Sequence, residues 1–570
     1  MPIKVKIKKF FTLPNLVWLV LFGALFYITR PLLTSEMLMG CDSTGHYYLT
    51  QKMLELLTHS KISGYDINWF AGYPVFTFYS PLFYIIACLI HLISFKLIPL
   101  VLCVNILLFL SQFFFLIGVY YVSNVFFKNK RINLLSLLFG FIILLNPFNF
   151  LGLGILGELA GLFTNVFAWP FFLFFIGFLE KLRQTGHKKY LCLAIVFLSI
   201  LILTHIFTAF FSFLIAFAYL IIYFKSKNFR YQILWIICIS LMLTAFWWIP
   251  FLSNLNYVYD NKNIHTSKGL STSISNSNSN SNWIDDWINT KDFFSSVKII
   301  FRFLSLFFFI GLGLIASLKK EKYLPVILIL IFICLAFLVG KIFIHTYRFY
   351  SEFFIMSVFL SAYGADYFIE KIYAKIKNKN LAKKLIIFLS TMFFLIIFLF
   401  FETKQFHQLL YSKNNTHISE AEQMITYIRE NNCQRILIDL FSTQYFLKPN
   451  RHYFDGILGN HNIPTLIGLI YESSLSKSYF LSKYESIFSQ SPDIIKCSDK
   501  DLKNYFKNLS FYGTKYVLTT KELSTPLSKF LNSEENEGLL TERKTIGPFT
   551  LLEINAEPQP LFAETAYQPF

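Results

Sequence analysis

Charge is what this sequence has least of. Asp, Glu, Lys and Arg together make up 15% of its 570 residues, while 55% are hydrophobic. Mean hydropathy is +0.52. A soluble domain of that make-up would be covered in apolar patches, so a soluble globular protein is excluded. Cysteine is thin and dispersed. The eight, Cys41, Cys88, Cys103, Cys192, Cys238, Cys334, Cys433 and Cys497, form no CxxC pair, which gives neither a metal cluster nor a disulfide framework. Cys433 and Cys497 are the one pairing left open. No metal-ligand spacing occurs, and no internal repeat is visible. The basic start MPIKVKIKKFF lacks a clear small-residue cleavage site, so the run behind it reads as an uncleaved first transmembrane helix with the N-terminus inside.

What the chain does have is apolar runs of about membrane length. They fall at about 14–33, 76–96, 97–127, 132–150, 161–179, 190–204, 206–224, 231–250, 296–317, 323–340, 348–370 and 384–402. The net charge of +18 comes from short basic tracts between them: Lys4–Lys9, Lys128–Arg131, Lys181–Lys189, Lys225–Arg230, Lys319–Lys322 and Lys371–Lys384. Such tracts face the cytoplasm, so the basic balance reports topology and not a nucleic-acid partner. If all twelve runs cross, Lys128–Arg131 and Lys181–Lys189 land outside. If one of the pair within 76–127 fails to cross, all six tracts land inside. The first of that pair opens with GYPVFTFYSP, rich in proline and interfacial aromatics, so 76–96 is expected to be re-entrant or to lie along the outer interface. Runs 190–204 and 206–224 are short and joined at Thr204–His205, an outward-facing hairpin.

The expected architecture is an α-helical polytopic membrane protein with about eleven crossings and a C-terminal extracytoplasmic α/β domain. Residues 1–402 form the transmembrane module, with outer loops 34–75 and 251–295, and residues 403–570 form the outer domain. The loop 251–295 contains STSISNSNSNSN, which cannot bury a core. In the tail, ISEAEQMITYIREN reads as an amphipathic helix; RILIDLF, KYVLTT and FTLLEIN read as strands.

The ionisable residues gather beside the first span. Asp42 stands in GCDSTGHYY, about nine residues beyond it. His46 is four residues on and shares its face if the stretch is helical. Asp66 follows in GYDINWFAGYP, where Trp69 and Tyr73 are placed to stack on a sugar or line a cleft. An aromatic cluster at this depth is commonly an anchoring belt, but the acids and glycines within it point to a shaped site.

These stretches resemble a known pattern. GCDSTGHYYLTQKM followed by SGYDINWFAGYPVFTFYSPLFYIIA is similar to the first outer loop of the GT-C glycosyltransferases. More closely, it resembles the bacterial and archaeal membrane proteins labelled 6-pyruvoyl-tetrahydropterin-synthase-related. GILGELAGLFTNVFAWP, LILTHIFTAF, FWWIPFL, YRFYSEFFIMSVFLSAYG and GTKYVLTT agree in order. The first of these lacks the Arg that the family often places shortly before the acid.

The resemblance implies an integral membrane protein of the prokaryotic plasma membrane. It would move a sugar from a polyprenyl-phosphate donor, held among membrane lipid, to an extracytoplasmic glycan, lipid or protein acceptor. Asp42 is the candidate base, with Asp66 as a second catalytic acid; a surface Asp is ionised at neutral pH and can orient a hydroxyl. Arg348 supplies a planar fork for phosphate, with Lys341 and His345 beside it and Glu352 four residues on to pair with it. Glu158, His205, His46, Trp69 and Tyr73 complete the substrate-binding set. Asp285 and Asp286, in NWIDDWIN, belong to a solvated loop or a lid helix. No resident metal is indicated; a divalent cation bridging Asp42 or Asp66 to phosphate is the one cofactor left open. Two rivals remain, a non-catalytic scaffold and a transporter of lipid-linked glycans. A transporter would carry charges near mid-bilayer, whereas here polar residues gather at the outer face.

Overall fold

The computed structural model describes residues 13–38, 40, 42–145, 161–255, 308–317, 350–375, 416–439, 443, 446–447, 453–468, 498–521 and 525–556. In chain order its elements are α1 (Leu13–Thr29), α2 (Ser43–Thr58), β1 (Gly64–Asp66), β2 (Tyr73–Val75), α3 (Leu82–Ile93), α4 (Leu100–Phe127), α5 (Lys130–Leu144), α6 (Phe163–Thr185), α7 (Lys188–Thr204), α8 (Ile206–Ile222), α9 (Lys227–Ser253), α10 (Phe308–Ser317), α11 (Tyr350–Lys375), α12 (Thr416–Glu430), β3 (Arg435–Ile438), α13 (Tyr453–Asn460), α14 (Asp499–Leu509), β4 (Thr514–Thr520), α15 (Thr525–Leu531), β5 (Leu540–Ile546) and β6 (Phe549–Ile554). They divide into two compact units. One takes in Met1–Ser35, Leu102–Phe246 and Ser281–His407; the other takes in Glu36–Val101, Trp247–Asn280 and Gln408–Phe570.

The first unit is a bundle of apolar helices. Among the described residues α4, α6 and α9 are long and apolar enough to cross a membrane, with 28, 23 and 27 residues. At about 1.5 Å per residue each exceeds the roughly 30 Å hydrocarbon core. The expected spans at 323–340 and 384–402 lie outside the described residues. Outward-facing Phe114, Phe217, Trp235, Met242 and Phe246 are exposed, the pattern of a surface that meets lipid rather than water.

Helix direction follows from aromatic pairs along the α1–α4 contact. Trp18 meets Tyr120 at 5.2 Å, Phe22 meets Phe113 at 5.3 Å, and Phe26 meets Phe109 at 6.0 Å between ring centroids. Residue numbers rise on one helix as they fall on the other, so α1 and α4 are antiparallel. The start of α1 therefore lies at the same end of the bundle as Lys128–Arg131. Other basic tracts gather there too. Arg131 pairs with Asp366 and, at 3.2 Å, with Glu370, just before Lys371. Gln184 Nε2 donates to the Val125 carbonyl at 3.0 Å. Arg183 lies 4.8 Å over the Tyr223 ring, beside Lys225–Arg230. The opposite end is closed by Asn105 Nδ2 donating to the Thr34 carbonyl at 2.9 Å.

An antiparallel α1 and α4 leave no room for a net crossing by the residues between them. The segment 76–96 accordingly forms the 12-residue α3, about 18 Å long and too short to span. The hairpin joint falls where the sequence places it. His205 alone separates α7 from α8, in an extended conformation (φ −154°, ψ 110°) that ends one helix and caps the next.

The second unit contains two sheets. β1 and β2 form a small antiparallel ladder in which Gly64 faces Val75 and Asp66 faces Tyr73. The larger sheet has the order β3-β4-β6-β5, with β3 parallel to β4 and the other pairs antiparallel. Ile436, Leu437, Val517, Leu518, Leu551 and Leu552 fill its core. The three strands read from sequence are β3, β4 and β6. α14 is opened by a capping box in which Ser498 and Asp501 satisfy each other's backbone N–H groups.

Within this unit the first loop is joined to the tail. The Trp69 indole N–H donates to the Asp455 carbonyl at 3.2 Å. Asn68 Nδ2 donates to Asn462 Oδ1 at 3.2 Å, and the Thr465 N–H donates to the Asn68 carbonyl at 2.6 Å. α13 comes close to α2 at two glycines: a Cβ on Gly456 would lie 2.7 Å from the Thr44 backbone, and one on Gly459 would lie 2.8 Å from the Tyr48 ring.

Candidate functional site

The candidate residues form two clusters, one in each unit. The first is built on α2. Asp42 is its N-cap residue and makes no side-chain capping bond to the helix; its carbonyl accepts from the His46 N–H at 3.2 Å. The stretch is helical, as the Asp42–His46 spacing requires for a shared face. His46 turns inward and is buried, with Nδ1 2.6 Å from the Tyr84 hydroxyl.

Six residues beyond Asp42, Tyr48 donates to Asp66 Oδ2 at 2.5 Å. Asp66 Oδ1 accepts from the Asn68 N–H at 3.2 Å and lies 3.6 Å from Lys52 Nζ. Asp66 is thus a buried carboxyl with both oxygens engaged. Burial pushes it above the ordinary carboxylate range, against the opposing pull of the Tyr48 hydroxyl, the Lys52 charge and the Asn68 N–H. Burial and the facing Asp66 likewise hold the Tyr48 and Tyr73 hydroxyls protonated far above their usual range. Trp69 packs on Tyr48 at 4.5 Å and on Tyr73 at 5.8 Å, and all three rings are buried. The two first-loop acids therefore differ: Asp66 holds the loop together from inside, and Asp42 stands at the helix start.

The second cluster lies at the end of the first unit away from the basic tracts. Thr208, in the first turn of α8, is its hub. Its Oγ1 lies 2.8 Å from His205 Nδ1, 3.0 Å from Glu352 Oε1 and 3.4 Å from Asn165 Oδ1. All four side chains are buried. His205 and Glu352, far apart in sequence, are thus brought together by a threonine and an asparagine that sequence reading missed. Neither had a signal of its own: Thr208 sits in an apolar run and Asn165 opens α6. Glu158 and Arg348 lie outside the described residues, as do Lys341, His345, Asp285, Asp286 and Cys497. Among the described residues no three His, Cys, Asp or Glu side chains group as a metal site. The oxygens of Asp66 are engaged by Tyr48, Asn68 and Lys52.

No protein-family model matches the chain, and no curated protein matches it. Solved structures do. The apo oligosaccharyltransferase of Archaeoglobus fulgidus superposes with a TM-score of 0.52 at 13% identity, over 88% of this chain and 69% of that one. The same organism's oligosaccharyltransferase AglB, in complex with an inhibitory peptide and a dolichol-phosphate, gives 0.52 at 13% identity over 95% and 75%. ArnT from Cupriavidus metallidurans, bound to undecaprenyl phosphate, gives 0.50 at 10% identity over 95% and 99%. At 10–13% identity the likeness is one of fold: this chain shares the architecture of these oligosaccharyltransferase and ArnT structures, and its long apolar helices fit a membrane protein.

Proposed function

We propose that this protein is an integral membrane glycosyltransferase that moves a sugar from a polyprenyl-phosphate donor to an extracytoplasmic glycan, lipid or protein acceptor. The observation that carries the reading is the fold likeness over nearly the whole chain to two transferases whose structures hold dolichol-phosphate and undecaprenyl phosphate. Likeness of fold supplies the class and not the chemistry, so the roles rest on the residues.

Asp42 orients the acceptor hydroxyl and takes its proton as the glycosyl bond forms, while the sugar leaves its phosphate. The phosphate carries the departing charge and is met by Arg348, whose planar fork suits it. His205 and Glu352 bind substrate from the Thr208 cluster. Asp66, with Tyr48, Trp69 and Tyr73 packed around it, sets the shape of the loop that carries Asp42 and His46. The N-terminus is cytoplasmic, the tail domain from 403 is outside, and the first-loop motif resembles that of the membrane proteins labelled 6-pyruvoyl-tetrahydropterin-synthase-related. Membranes containing the protein, offered a panel of radiolabelled polyprenyl-phosphate sugars, test the reading. Label should pass into a product extractable apart from the donor; no transfer from any donor in the panel counts against it.

A further inference from the structure

The two most exposed large apolar side chains among the described residues, Phe95 at 88% and Leu97 at 83%, sit on one turn, with Ile93 at 74% beside them. The turn joins α3 to α4. α3 buries Phe83, Tyr84, Ala87 and Cys88 and is fastened through them to α2, where Tyr84 meets His46 at 2.6 Å and Cys88 Sγ donates to the Thr50 carbonyl at 3.4 Å. Its other positions are apolar too, Ile85, Ile86 and Leu89 among them, so α3 offers water no polar face. The backbone of the turn is closed on itself. Five consecutive N–H groups donate within it: Ser94 to the Ile90 carbonyl at 3.0 Å, Phe95 to Leu92 at 2.9 Å, Lys96 to His91 at 2.8 Å, Leu97 to Ser94 at 3.0 Å, and Ile98 to Ser94 Oγ at 3.3 Å. His91 Nδ1 donates back to the Ile98 carbonyl at 2.7 Å, and Pro99 has no N–H to satisfy. The closure holds Phe95 and Lys96 in the left-handed region, at φ 53° and 64°, which bulky side chains rarely adopt. A turn in water has no need of it, because water satisfies open N–H groups; in hydrocarbon every backbone group needs an internal partner.

We infer that Ile93, Phe95 and Leu97 form a wedge that inserts into the hydrocarbon of the bilayer and anchors the first loop there, with membrane lipid as its partner. Continuity picks lipid over a second protein. The turn leads within three residues into α4, a helix long and apolar enough to span, whose exposed Leu110, Phe114 and Ile117 recur along one face. The wedge stands at the head of that face. Lys96, also exposed, has a stem long enough to carry its ammonium back to the phosphate headgroups. Because α3 is fastened to α2, the wedge also sets the depth at which α2, and Asp42 at its start, stand relative to the membrane. The partner is the bilayer itself and not the sugar donor, so the inference is independent of the proposed transfer.

The full chain, with a fluorescent amino acid in place of Phe95 or, as the control, of the exposed Lys544 on β5, is placed in nanodiscs of phosphatidylethanolamine and phosphatidylglycerol. The probe at 95 should be quenched by lipid carrying a nitroxide on its acyl chain and spared by aqueous iodide; the probe at 544 should show the reverse. Quenching of 95 by iodide, or by neither reagent because protein covers it, overturns the inference. Phe95→Asn tests the hold. Asn adopts the left-handed region more readily than Phe, so at a turn in water the change would raise the melting temperature. In the same nanodiscs the variant should instead melt below the parent. Melting at or above the parent's temperature overturns the anchor.

Discussion

Asp42 and Asp66 are the same side chain given opposite work by their surroundings. Asp42 heads a helix and is only half buried, so its loss should be felt in chemistry. Asp42→Asn is nearly isosteric; it should leave expression and thermal stability unchanged and slow transfer about 10²–10⁴-fold, the usual cost of losing a general base. Equal turnover by variant and parent would return Asp42 to the status of a loop acid. Asp66 should be felt in stability. Its carboxyl is raised from the ordinary 3.8, so the fold favours the protonated form. That contribution is fully present below about pH 3.8 and is lost as pH rises through the raised value. Asp66→Asn is neutral at every pH and escapes the loss. The melting temperature of the variant minus that of the parent should therefore grow from about pH 4 to about pH 7. A flat or falling difference contradicts the burial account.

Elements show where the sequence was legible. Runs bounded by charge, proline or a polar joint were read nearly to the residue: α4, the α7–α8 hairpin at His205, and the strands β3, β4 and β6. β5, LTERKTI, was missed because it is the sheet's edge strand, and its exposed face carries Glu542 and Lys544, which blur the apolar alternation. The Thr208 hub was missed for another reason. It joins α6, α8 and α11, and contacts across 43 and 144 residues leave no local spacing. The seating of α13 on α2 was equally invisible, since it depends on what two glycines lack. It also makes a prediction. Gly456→Ala places a methyl 2.7 Å from the Thr44 backbone, which cannot turn aside, and Gly459→Ala places one 2.8 Å from the Tyr48 ring, which can shift only by disturbing its bond to Asp66. Each should cost about 1–3 kcal/mol, Gly456→Ala more. Gly23→Ala on α1 meets nothing within 4 Å and should be neutral or stabilising, by up to about 1 kcal/mol. Melting of the three purified variants in detergent orders them; equal melting would mean that α13 does not seat on α2 as closely as the glycines require.

On the scale of the whole molecule, the bundle has a basic end and an end bearing His205 and Glu352. Antiparallel α1 and α4 bring the start of α1 to the basic end, in keeping with the expectation that 76–96 does not cross. With the basic end inside, single cysteines at 185 and 226 should react only with reagents that enter the cytoplasm, and cysteines at 60 and 533 should react from outside. Label reaching 185 from outside while 533 is protected would invert the topology and the proposed chemistry with it. The central claim is transfer itself. Purified protein in lipid, given one equivalent of a radiolabelled polyprenyl-phosphate sugar and envelope extract as acceptor, should release free polyprenyl phosphate in step with the sugar gained by the acceptor, and Asp42→Asn should suppress both together. Donor consumed without matching acceptor product, or equal transfer by the variant, would contradict the account.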